Sequence, residues 1–151
     1  MSGAVRVYIP LTAMSVGELA SLGTLPAPPE HAFAVTARLV AGLPEADDEE
    51  REYAAFVAAA QRAAVMAVMA GPEGGRRARA VVAAADIPAQ EVTDFSSGGT
   101  RPAAAVSLAR PVTLRSVVSL HVGESVAADA DLLWYDITEI DLVRTLFSSP
   151  A

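Results

Sequence analysis

A chain of 151 residues, 52% of them hydrophobic, is long enough for one domain with its own core, and no change of composition along it marks a second. It has no cysteine and all 11 cationic residues are arginine, which excludes disulfides, thiolate chemistry and every lysine mechanism. A formal charge of −7 argues against nucleic acid as the main partner, because phosphate binding rests on cationic surface.

The opening residues, MSGAVRVYIPLTAM, lack the basic start and unbroken apolar stretch of a signal peptide. No apolar run approaches the roughly 20 uncharged residues of a membrane span, so the expected location is cytoplasmic, with no membrane partner. In VRVYIPLT, alternation with period two predicts a strand over 5–12, with Val5, Val7, Ile9 and Leu11 on one face and Arg6 and Tyr8 on the other. SVGELASLG then predicts a short helix, with Ser15 as N-cap, Glu18 as its capping-box partner and Gly23 as terminator. After the TLPAPPE loop, HAFAVTARLV reads as a second strand.

The clearest element is a long helix over about 47–70, with Tyr53, Phe56, Val57, Ala60, Ala64, Ala67 and Val68 at helical spacing and Gly71-Pro72 closing it. Its acidic start, Asp47, Asp48, Glu49 and Glu50, suits the positive end of a helix dipole better than a metal ion, and no metal site is expected. RRARAVVAAADI predicts a strand ending near Asp86, with Arg76, Arg77 and Arg79 at its solvated start. FSSGGTRP is a loop without the context or the lysine of a phosphate cradle. Three more strands are expected: one through Ala104, Val106 and Leu108, one over 117–122, where RSVVSLHVGE fits a helix or a strand and the strand is favoured, and one over 132–140. DLVRTLF reads as a terminal helix.

The last strand holds the sole tryptophan. There Leu133, Tyr135 and Ile137 share one face, while Leu132, Trp134, Asp136 and Thr138 share the other. Each expected strand divides similarly into an aliphatic face and a mixed one, so Arg6, Tyr8, Arg79, Ser107, His121, Trp134 and Asp136 are expected on a sheet face that helices leave uncovered. Trp, Tyr and Arg are the residue types that concentrate binding energy at interfaces, which makes Arg6, Tyr8, Arg79 and Trp134 the candidate binding residues.

VRVYIPLT, EYAAFVAAAQRAA, RARAVVAAADIP, VSLHVGE and LLWYDITEI together resemble a family of small uncharacterised actinobacterial proteins, a domain of unknown function. The resemblance runs over most of the chain and implies no reaction, ligand or catalytic residue. It fits a GC-rich genome as the source of the arginine and alanine bias.

The expected fold is a single α+β domain over 1–151. It is a two-layer arrangement in which a mixed or mostly antiparallel sheet of five to six strands carries the long helix and the shorter one on the same face. An open parallel α/β sheet is the alternative, disfavoured because the second half leaves little room for crossover helices. The expected function is a non-enzymatic binding or self-associating module, a homodimer or partner of another protein, that uses the Tyr8/Trp134 face. The alternative is an enzyme or sensor for a small anionic ligand, held by Arg6 or Arg79, with His121 and Asp136 as an acid–base pair. Base stacking on Tyr8 and Trp134 is a weaker third reading, opposed by the acidic balance. No cofactor is expected, and Asp86 and Glu139 are assigned no role.

Overall fold

The computed structural model describes residues 3–70, 79–95, 100–123 and 132–148. The expected roles of Arg76 and Arg77, the closing Gly71-Pro72 and residues 96–99 of the FSSGGTRP loop lie outside the described residues.

The first strand forms as its alternation dictates: β1 (Ala4–Leu11) buries Val7, Ile9 and Leu11. In α1 (Ala13–Leu22) the N-cap is Thr12 and not Ser15, with the Thr12 hydroxyl accepting from the Ser15 amide at 3.2 Å. Gly23 ends the helix with φ at 75°, a left-handed conformation open to a residue without Cβ. The expected second strand shrinks to β2 (Ala32–Phe33), and α2 (Ala37–Gly42) replaces the rest. The cause is Thr36, whose hydroxyl accepts from the Leu39 amide at 3.0 Å and so caps a helix inside an apolar run.

The long helix is α3 (Asp48–Ala70). Asp47 accepts from the Glu50 amide at 2.8 Å, and the Glu50 carboxylate takes the Asp47 amide at 3.3 Å, a reciprocal cap that accounts for the acidic start. The buried stripe is Ala55, Ala59, Ala60, Ala63, Ala64 and Ala67, whereas Tyr53 and Val68 are exposed. Side chains this small let the helix lie close on the sheet. The helix is long and apolar enough by composition to cross a membrane, but its alanine stripe is committed to packing within the protein.

The remaining strands are β3 (Val81–Pro88), β4 (Val92–Asp94), β5 (Ala105–Leu108), β6 (Val117–Gly123) and β7 (Leu132–Asp136), followed by α4 (Ile140–Ser148). They build one seven-stranded sheet, ordered β4-β5-β2-β1-β3-β6-β7. Every pairing is antiparallel, with Arg6 opposite Asp86, Tyr8 opposite Ala84, Ala84 opposite Ser119, and Ser119 opposite Asp136. The class is α+β, with seven strands in place of five to six, because the short β4 carries no alternation long enough to be seen in the sequence. The final strand stops at Asp136 and not at Ile140. Asp136 caps a turn over Ile137–Glu139, accepting from the Thr138 amide at 3.0 Å, and Glu139 reaches back to the Asp136 amide at 3.1 Å.

Helices cover both faces of the sheet. One core joins Val7, Ile9, Leu11, Val81, Leu120 and Val122 to Val16 and Leu19 of α1 and Val143 and Phe147 of α4. The other joins Tyr8, Phe33, Val82 and Ala84 to the α3 alanines and Leu39 of α2. This corrects the two-layer arrangement, since the face carrying Tyr8 is roofed by α3. Burying Ile9, Leu11, Leu19 and Leu120 completely contributes roughly 1.5–3 kcal/mol each.

Candidate functional site

The mixed sheet face divides into a covered part and a rim. Under α3, Tyr8 is buried and donates its hydroxyl to Glu52 Oε1 at 2.9 Å. Phe56, one helical turn after Glu52, meets Tyr8 edge-on with centroids 5.8 Å apart, and meets His121 edge-on at 5.0 Å. His121 Nε2 pairs with Ser119 Oγ at 3.0 Å, two residues along the same strand and therefore on the same face. Helix and sheet thus hold a Glu52–Tyr8 pair and a His121–Ser119 pair on either side of the Phe56 ring.

Burial sets the protonation of both groups. It disfavours the imidazolium, an effect to which the Arg6 charge adds, so His121 is lowered to about 4 and is neutral at neutral pH. Burial and the bond to Glu52 push the Tyr8 hydroxyl well above its ordinary range, so it stays protonated. Neither group is poised for proton transfer near neutrality, where a general acid or base works best.

The expected arginine contacts are occupied from within the chain. Arg6 lies opposite Asp86 and holds its two carboxylate oxygens at 2.7 and 3.3 Å, which keeps its own pKa above the ordinary value. Arg79 is not on the Tyr8 face. It donates to the carbonyl of Leu146 at 3.3 Å and that of Gly123 at 3.1 Å, tying the end of α4 to the end of β6. The register around β3 explains this, because Ala80 faces α3 and its neighbour Val81 faces α1 and α4. His121 and Asp136 do share a face, but the Asp136 carboxylate takes the Thr138 hydroxyl at 2.6 Å as well as its amide, and those bonds hold its pKa below the usual carboxylate value. His121 has its own partner in Ser119.

What stays open is the rim. Among the described residues β7 ends the sheet, and on it Trp134 is 62% and Leu133 50% exposed, on opposite faces of the strand. Leu142, on the neighbouring α4, is 51% exposed. The sequence reading put Phe56 on the apolar stripe of the helix but missed Glu52, whose i, i+4 spacing from Phe56 gave no sign of the strand beneath. No group of three or more His, Asp or Glu side chains suited to a metal occurs among the described residues.

No curated protein and no solved structure matches the chain. A family described only as a family of unknown function, DUF6912, matches residues 5–130. With that match spanning most of its length, the chain belongs to the DUF6912 family.

Proposed function

We propose that the protein is a non-enzymatic module that self-associates edge to edge through β7, with Trp134 at the centre of the seam. The observation that carries this reading is a terminal strand with a large apolar side chain exposed on each face. Terminal strands of monomers are commonly blunted by lysine, proline or a bulge, and LLWYD contains none of these. Its one charge, Asp136, stands at the end and is spent on the following turn.

The strand is also self-complementary. A two-fold axis at Trp134 sets that ring against its copy, Leu133 against Tyr135 and Leu132 against Asp136, so no like charges oppose one another. Tyr8, on β1 and separated from β7 by β3 and β6, is a core residue under α3 and takes no part in the seam.

The test is solution mass over a concentration series for the wild type, Trp134→Arg and Leu133→Asp. The reading predicts a dimer whose melting temperature rises with protein concentration, and predicts that each substitution converts it to a folded monomer whose melting temperature does not, because both positions are exposed within the single chain. A wild type that stays monomeric throughout the series overturns it.

A further inference from the structure

A cleft of about 660 Å³ lies where the end of β1 meets α1, the 25–31 segment and the C-terminal half of α3. Its volume is in the range of small-molecule sites. Leu11, Leu25 and Met66 supply apolar wall, and Glu18 stands on the α1 side. A second cleft of about 290 Å³ shares Glu30, His31 and Arg62 with the first and adds Arg101, whose guanidinium lies 4.1 Å from the centre of the Phe95 ring. Arg62 and His31 therefore stand where the two clefts meet, with a carboxylate on one side and a further guanidinium on the other.

None of Glu18, Glu30, His31 and Arg62 makes a hydrogen bond or ion pair within the described residues, although Glu18, His31 and Arg62 are each partly buried. Arg6, Arg51, Arg79, Arg110 and Arg144, by contrast, are all engaged by carboxylates or carbonyls. The groove thus carries separated charges of both signs, unsatisfied from within, around an apolar centre. A methionine wall adapts to varied apolar groups, which suits a ligand class more than one rigid compound.

We infer that this groove binds short apolar peptides of two to three residues with free ends. Glu18 takes the terminal ammonium, Leu11, Leu25 and Met66 receive the side chains, and Arg62 holds the terminal carboxylate. A lone anion would meet two glutamates in the groove and a lone cation two arginines, whereas a zwitterion with an apolar body complements both. The site is independent of β7.

Calorimetric titration with trileucine, its N-acetyl form and its C-terminal amide tests the assignment on the wild-type protein alone. Free trileucine is expected to bind saturably, and blocking either end to weaken binding at least tenfold, since each charged hydrogen bond contributes about 1.5–3 kcal/mol. Arg62→Gln, which removes no hydrogen bond or ion pair among the described residues, should lower the affinity for free trileucine to that for the amide and leave the amide's unchanged. Equal binding of the free and amidated peptides, or no saturable binding of trileucine up to millimolar concentration, overturns the proposal.

Discussion

His121 is the side chain on which pH acts most directly. Its unfolded value lies near 6.5 and its folded value near 4. Between the two the unfolded chain binds more protons, so stability is fully present above about 6.5 and is lost as the pH falls toward 4. The loss is on the order of 1–2 kcal/mol once the ring's remaining contact with solvent is allowed for. The Arg6 charge that acts on the ring remains in His121→Phe, so denaturation of that variant should lose this slope between pH 6.5 and 4. A wild-type slope that survives the substitution would place the titration elsewhere. Tyr8→Phe should cost about 0.5–1.5 kcal/mol, the net worth of one hydrogen bond, with no change in oligomeric state. At this scale the sequence separated Trp134 from Tyr135 correctly, because period two leaves no freedom about which neighbour shares a face. It misjudged Tyr8, because a tyrosine among charged residues reads the same whether its hydroxyl meets water or a glutamate on a helix 44 residues away.

The elements obey local signals where those are strong. α3 was legible from its spacing and acidic start, and Ala60, Ala64 and Ala67 of the expected stripe are buried, but Tyr53 and Val68 are exposed and Ala55, Ala59 and Ala63 stand in their place. Large side chains attract attention in a sequence, yet every fully buried residue of the helix is alanine, and Phe56 reaches Tyr8 and His121 from beside that stripe. Ala63→Leu, at a fully buried position, should therefore destabilise the protein by about 1–3 kcal/mol in chemical denaturation, and an unchanged midpoint would mean the interface is loose. α2 went unseen because Thr36 sits inside an apolar run, although it is a good cap by chemistry. The early end of β7 had a visible signal in Asp136 and Glu139, three residues apart as in a capping box. Arg79 acts on two elements at once. Arg79→Met should loosen α4 by about 1–2 kcal/mol, seen as faster amide exchange over 140–147.

For the whole molecule, the decisive feature is an antiparallel sheet covered on both sides. Alternating strands suggested one wet face, yet the five successive residues 81–85 of β3 are all buried, and VVAAA carries no alternation at all. An unbroken apolar run in a central strand is the mark of two covered faces, and alanine's ambiguity hid it. With both faces occupied by helices, the sheet's open boundary lies at its terminal strands. β4 is three residues long with a charged end, which leaves β7 as the longer edge and the more apolar one. The proposed association therefore runs through that edge. The most direct measurement is amide hydrogen exchange over residues 132–136 at high and low protein concentration. Edge-to-edge association predicts that the amides of β7 pointing away from β6 are protected in concentrated solution and lose that protection on dilution, while the amides bonded to β6 and those of β1 and β3 exchange alike at both. Fast exchange of the outward amides at every concentration would contradict it.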